Sequence, residues 1–317
     1  MRKTNNGKRR RNPAPYPAWE PGAGRDPGRI VKYVVPAICI LTVLALFLSS
    51  EYRARYGTPT PGADTLSVMF IDVGQGDSEL ILCGGHSVLI DGGEAACGAK
   101  LVSMLRGLGV KKIDCVVATH PHADHIGGLI DVLENVAVGE LLMPALTENN
   151  IPTTRVYERF LEAAAASGAK AVRAAPGDEY AYGEIRFTVL SPLFAEAADL
   201  NDMSVVLRMK YGGVSFLFTG DAGVEAENAM LETGADLSSD VLKVGHHGSR
   251  SAKSAAFYRA VSPRIAVVEC GDGTEYHPHK ETVGALVSIG AQVYRTDRDG
   301  TVVVTTDGSR ISVTKEK

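Results

Sequence analysis

From residue 66 onward, short apolar runs alternate with glycine turns and with longer amphipathic stretches. Runs of this length, rich in Val, Ile, Leu and Phe and bounded by turn residues, predict buried strands. They fall at 66–73, 78–83 and 86–90, parted by Gly74-Gln75-Gly76 and Gly84-Gly85, and again at 113–119 and 139–143. Further strands are predicted at 185–190, 204–210, 214–219, 241–244, 264–268, 292–295, 301–305 and 310–313. Amphipathic stretches predict helices at 99–108, 126–133, 153–167, 224–232, 252–260 and 280–289. Blocks of strands with helices between them imply an α/β fold, two sheets covered by helices on their outer faces.

Upstream the pattern changes. Residues 1–29 are rich in Pro, Gly and Arg with almost no aliphatic content, so they cannot bury enough apolar surface to fold. Residues 30–49 are nearly all apolar, and about 20 such residues span a bilayer, which predicts one transmembrane helix. A polar linker follows at 50–65, and 66–317 form the folded body. Lys8-Arg9-Arg10-Arg11, Arg25, Arg29 and Lys32 lie in or before the start of the apolar run. The positive-inside rule then keeps the N-terminus cytoplasmic and places the body outside a single-pass cell-membrane anchor. A cleaved signal peptide is the alternative, although no clear Ala-x-Ala site follows the run.

The net charge of −4 hides an asymmetry. Residues 1–56 carry 11 Lys and Arg against 3 Asp and Glu, a net of +8, and the remainder carries 22 against 34, a net of −12. An acidic body is a poor electrostatic trap for long polyanions. None of the five cysteines forms a Cys-x-x-Cys pair, which argues against a structural zinc knuckle. In an exported body Cys83 and Cys97 are the pair placed to bridge, whereas Cys115 and Cys270 sit in apolar runs and read as buried free thiols.

Candidate chemistry is concentrated in the histidines. Seven of the eight fall into three groups: His120, His122 and His125; His246 and His247; His277 and His279. His86 stands alone between Gly85 and Ser87 and reads as a hairpin residue. The first group contains Asp124 and directly follows the apolar run at 113–119. Imidazole and carboxylate are the donors that zinc and its neighbours prefer. Phe216-Leu-Phe-Thr-Gly-Asp221 and Val241-Leu-Lys-Val-Gly-His246-His247 are two more apolar runs ending in such donors.

The set His120-x-His122-x-Asp124-His125, Asp221 and His246-His247 resembles the metallo-β-lactamase superfamily. Asp72-Val-Gly-Gln-Gly-Asp77-Ser78, Leu89-Ile-Asp91-Gly-Gly93, Asn201-Asp-Met-Ser204 and Lys243-Val-Gly-His-His-Gly-Ser249 narrow the resemblance to the hydrolase domain of ComEC-like competence proteins. It covers roughly 66–313 and implies a four-layer αββα fold. The many membrane spans of the DNA-uptake channel are absent from this sequence, so a transport role does not follow.

The resemblance also implies a centre of two divalent ions, zinc or alternatively manganese. His120 and His122 would hold one ion. Asp124, His125 and one of His246 and His247 would hold the other, and Asp221 would bridge them. Sequence order favours His246, which follows its strand directly, and leaves the other for substrate or proton transfer. Such a pair of ions activates water for attack on an ester or phosphodiester. Asp124, His277 and His279 are the implied catalytic groups, the two histidines contacting phosphate or acting as general acid. Asp72, Asp77, Asp91, Asn201 and Ser204 would orient the ligands from behind. One departure is plain: many superfamily members carry a further histidine upstream of the bridging aspartate, and here there is none between His125 and His246.

The expected function is thus a membrane-anchored, extracytoplasmic metal-dependent hydrolase, a phosphodiesterase or nuclease with a phosphodiester or nucleic-acid-like substrate. The alternatives are hydrolysis of another ester, such as a cell-wall phosphoester or a lactone, and a catalytically silent metal-binding interaction module. No obligate protein partner is evident.

Overall fold

The computed structural model describes residues 65–252, 254–272 and 277–317. The basic segment, the apolar run at 30–49 and nearly all of the linker lie outside the described residues, as does Tyr276. Among the described residues no helix is long and apolar enough to cross a membrane.

Among the described residues, fifteen strands form two sheets. In chain order they are β1 Leu66–Phe70, β2 Glu79–Cys83, β3 His86–Ile90, β4 Lys112–Val117, β5 Ala137–Pro144, β6 Lys170–Ala174, β7 Glu179–Tyr182 and β8 Ile185–Ser191. The rest are β9 Val206–Tyr211, β10 Val214–Phe218, β11 Val241–Lys243, β12 Ile265–Val268, β13 Gln292–Arg295, β14 Val302–Thr306 and β15 Ile311–Lys315. The first sheet runs β15-β14-β1-β2-β3-β4-β5-β6 and the second β13-β12-β11-β10-β9-β8-β7. Each has a parallel part, β3 to β6 in the first and β10 to β13 in the second.

Helices α1 Gly98–Gly107, α2 Ala123–Ile126, α3 Leu129–Asn135 and α4 Arg155–Ser167 accompany the first sheet, and α5 Val224–Glu232, α6 Ala255–Val261, α7 Lys280–Ser288 and α8 Thr296–Asp299 the second. Alternation along each strand explains the layering. Val68 and Phe70 of β1 enter the core between the sheets, while Met69 faces the apolar sides of α1, α3 and α4. The second sheet repeats this: Phe216 and Phe218 point inward and Leu217 points toward α5, α6 and α7. Strands buried on both faces read as continuous apolar runs. Phe70 and Phe218 join the sheets with ring centroids 6.2 Å apart.

Most predicted elements are present, with end shifts of a few residues. The helix expected at 153–167 begins after Thr154, whose side chain accepts from Tyr157 N–H, and ends at Gly168 with φ 74°. Two differences matter. Strands β6 and β7, at the edges of their sheets, were not predicted; Lys170, Ala171 and Arg173 in the one and Glu179 and Ala181 in the other are exposed, so neither forms a continuous apolar run. The helix expected at 126–133 is split into α2 and α3 at Gly127-Gly128. A Cβ on Gly128 would stand 2.1 Å from the Gly92 carbonyl oxygen. Asp124 and His125 are therefore helical residues. The bridge between Cys83 and Cys97 is absent: both are free thiols. Cys83 faces the core between the sheets, whereas Cys97 packs on the helical side and its thiol donates to the Val73 carbonyl at 3.2 Å.

Candidate metal centre

The parallel parts of both sheets end on one edge, the usual place for ligands in such sheets. His120 follows β4, Asp221 follows β10, and His246 and His247 follow β11. Backbone bonds fix the junction: Val205 N–H donates to the Thr119 carbonyl at 2.9 Å and His246 N–H to the Gly220 carbonyl at 3.2 Å. The turn Gly74-Gln75-Gly76 lies against α2, where a Cβ on Gly76 would stand 2.2 Å from the Asp124 carbonyl oxygen. Asp91, His246 and His247 have φ of 52°, 47° and 51°, a conformation that non-glycine residues keep only where surroundings enforce it.

Four imidazoles converge on one oxygen. Oδ2 of Asp221 lies 3.3 Å from Nε2 of His125, 3.4 Å from Nε2 of His247, and 3.9 Å from Nε2 of both His120 and His246. His122 Nδ1 is 3.0 Å from His120 Nε2, and Asp124 Oδ2 is 3.4 Å from His247 Nε2. Donors about 2.1 Å from a tetrahedral ion stand roughly 3.4 Å from one another, so these spacings suit shared cations. The buried atoms without a hydrogen-bond partner include Nε2 of His125, Nε2 of His247 and Oδ1 of Asp221. Three such atoms together would be costly unless a cation satisfied them. The donor set fits divalent metal.

Electrostatics agree. Burial opposes charge on His125, but Asp221, Asp91 and Asp77 hold its imidazole well above the usual range. Burial likewise opposes charge on His247, which Asp221, Asp77 and Asp124 hold up. Burial raises Asp221, yet His247 and His125 keep it well below the ordinary carboxylate range. Burial and the neighbouring His125 drive His120 well down.

The two adjacent histidines separate clearly. His247 is buried, and its Nδ1 lies 3.0 Å from the Glu269 carbonyl oxygen, which aims Nε2 at Asp221 and Asp124. His246, favoured by sequence order, is farther from Asp221, 23% exposed at its side chain, and its Nδ1 lies 2.7 Å from Ser251 Oγ. The geometry thus points to His247 as the inner donor.

The remaining residues divide in the same way. Asp91 accepts from Thr119 N–H at 2.8 Å and from the Thr119 hydroxyl at 2.6 Å, and lies 2.7 Å from His125 Nδ1. Ser204 Oγ accepts from Asp221 N–H at 3.1 Å and stands 3.5 Å from His120 Nδ1. Asp77 Oδ1 is 3.2 Å from His247 Nδ1. The His277 ring lies 5.7 Å from His246 and 6.4 Å from His247 at the rim, and burial with those two neighbours pulls its pKa down to about 4. His279 stands behind His277, its ring 5.4 Å away and its N–H donating to the Gly248 carbonyl.

Asp72 is not brought in: it accepts from Gly74 N–H and pairs with Lys317. Asn201 is buried in a tight turn, its Oδ1 without a hydrogen-bond partner. Its neighbour Asp202 instead caps α5, accepting from Gly223 and Ala226 N–H. His86 lies outside the centre, 3.0 Å from Asp114.

Sequence reasoning missed Lys243, Glu79, Glu269 and Thr119, all buried behind the ligands. A signal was available for three of them. A charged residue inside an apolar run, as in Val241-Leu-Lys243 and Val267-Val-Glu269, must be paired to be buried.

A model of the metallo-beta-lactamase superfamily matches residues 71–271. ComE operon protein 3 of Bacillus subtilis is 29% identical over 312 residues, covering 86% of this chain and 40% of that protein. Competence protein ComA of Neisseria gonorrhoeae is 32% identical over 235 residues, covering 72% of this chain and 30% of that protein. The chain therefore spans well under half the length of these curated relatives. Among solved structures, the metallo-beta-lactamase fold protein YhfI of Bacillus subtilis superposes with a TM-score of 0.52 at 16% identity, over 77% of this chain and all of that one. By fold and by the extent of the family match, this chain belongs to the metallo-beta-lactamase superfamily, and the curated relatives it resembles are competence proteins.

Proposed function

We propose that the chain is a phosphodiesterase whose centre takes two divalent ions. His120 and His122 would hold one, Asp124, His125 and His247 would hold the other, and Asp221 would serve both. The observation that carries this reading is the convergence of the imidazole Nε2 atoms on Asp221 Oδ2 at distances that suit a shared cation, with no hydrogen bond made by His125 Nε2, His247 Nε2 or Asp221 Oδ1. Two such ions lower the pKa of water and polarise the scissile bond. Water adds to phosphorus, the bond to the leaving oxygen breaks, and the proton passes to that oxygen.

The chain's own groups shape the rest. His246 and His277 line the open side, where they meet the non-bridging oxygens and the leaving group. The acidic body disfavours long polyanions, so short or small diesters are the better substrates. Zinc is the first metal to test, and manganese the second. The apolar run at 30–49 and its basic flank support a membrane anchor with the hydrolase domain, 66–317, outside.

The test is turnover by the full chain, solubilised in detergent and loaded with Zn2+ or Mn2+, on a chromogenic aryl phosphodiester and short single-stranded DNA. Metal-dependent cleavage is expected. Turnover of lactones or carboxylic esters without any diester cleavage would move the assignment to another ester, and bound metal without turnover would leave a binding module.

A further inference from the structure

We propose that Lys243 is a positioning residue of this centre: its buried ammonium clamps the two sheets together and sets donors on both sides of the junction. The inference rests on reading Asp221, His125 and His247 as metal ligands.

Lys243 ends β11 and is fully buried. Val241, two residues earlier, faces the core between the sheets, and Lys243 continues on that face where an apolar residue would otherwise stand. Its Nζ donates to the Asp77 carboxylate and, at 3.2 Å, to the Gly220 carbonyl. Both partners touch the centre. Asp77 reaches 3.2 Å from His247 Nδ1 and 3.8 Å from His125 Nδ1, the edges opposite their ligating nitrogens. Gly220 immediately precedes Asp221, and its carbonyl also accepts from His246 N–H. One ammonium thus ties the turn after β1, on the first sheet, to the ends of β10 and β11, on the second.

The surroundings explain why a cation is kept there. Glu79 and Glu269 lie beside Asp77, all three with a carboxylate oxygen within 4.8 Å of the others, and all are buried. Without Lys243 this floor would hold only acidic groups. An aliphatic side chain of equal length would fill the space but fix neither Asp77 nor Gly220. Partners that orient ligands from behind typically change metal affinity 10–100-fold when lost.

The test is a Co2+ titration of the full chain in detergent, followed by visible absorption, for wild type, Lys243→Met, Asp77→Asn and the double variant, with far-ultraviolet circular dichroism as the check on folding. Each single variant is expected to weaken Co2+ binding about 10–100-fold and to shift the cobalt bands. Because Lys243 acts largely through Asp77, the double variant is expected to be little weaker than the singles. Wild-type affinity in folded Lys243→Met, or losses that multiply in the double variant, would overturn the proposal. Should Lys243→Met not fold, wild-type affinity in Asp77→Asn overturns it equally. A wild-type chain that binds no Co2+ fails the underlying ligand reading instead, and this proposal with it.

Discussion

Asp91 and His125 are locked together: Oδ2 of the first lies 2.7 Å from Nδ1 of the second, and both are fully buried. Asp91 sits at the end of β3 in a left-handed conformation and also accepts both hydrogens of Thr119, the residue before His120. It therefore orients one donor directly and another through the backbone. Asp91→Ala is expected to lower metal affinity about 10–100-fold, measured by isothermal titration. Unchanged affinity would show that α2 and the end of β4 hold the donors unaided.

Exchanging the two adjacent histidines separates their roles. If the proposed ligand set is right, His247→Ala should cost one of the two ions by elemental analysis, since His247 Nε2 faces Asp124 and Asp221. His246→Ala should keep both ions and lower kcat by about 10²-fold on a phosphodiester, as expected for a group acting on substrate or proton. The opposite pattern would return the ligand to His246.

Much of this centre was legible in sequence because its donors follow apolar strands, and a buried strand that ends in histidine or aspartate announces itself. The choice between His246 and His247 was not legible. It depends on two consecutive left-handed residues that turn the nearer side chain outward and the next one inward. The floor of the site was missed although each of Lys243, Glu79 and Glu269 is a charge in or beside an apolar run, because what pairs them is the meeting of β2, β11 and the residue after β12, which lie far apart in sequence. Asp72 was overread: beside a glycine turn, an aspartate is as readily a turn residue as a site residue. Strands β6 and β7 escaped because edge strands need no continuous apolar pattern.

Away from the centre, Glu227 on α5 offers a pH test. It is buried, and burial raises its pKa to about 8 against the Ser254 N–H that favours its charged form. The folded state thus keeps a proton that the unfolded chain releases near pH 4.5. Stability from this group falls as pH rises from there toward 8 and is flat above. Glu227→Gln removes that loss and can still accept from Ser254. It should match wild type near pH 4 and be more stable at pH 9, by on the order of a few kcal/mol at about 1.4 kcal/mol per pKa unit. Urea unfolding at both pH values checks this; an equal difference at each would refute it.

Topology can be read by protease shaving. If the proposed anchor is right, protease added to intact cells should digest residues 66–317 and spare residues 1–29. A body that resists until the cells are lysed would reverse the orientation.

Substrate length and salt provide a further check. With a net charge of −12 over residues 57–317, the metal-loaded chain should cleave short oligonucleotides and small diesters faster than long DNA. Because salt screens that repulsion, the disadvantage of long DNA should shrink as salt rises. A preference for long DNA that survives high salt would point to contacts outside the centre.

The donors come from two stretches of chain far apart in sequence, His120 to His125 beside the first sheet and Asp221 to His247 beside the second. An ion held between them acts as a cross-link, closing a loop of about a hundred residues and adding its binding energy to the docking of the sheets. During synthesis the His-x-His-x-Asp-His motif is complete long before its partners leave the ribosome. A message cut short after residue 200 would yield a chain that carries the family's best-known signature and has no centre at all.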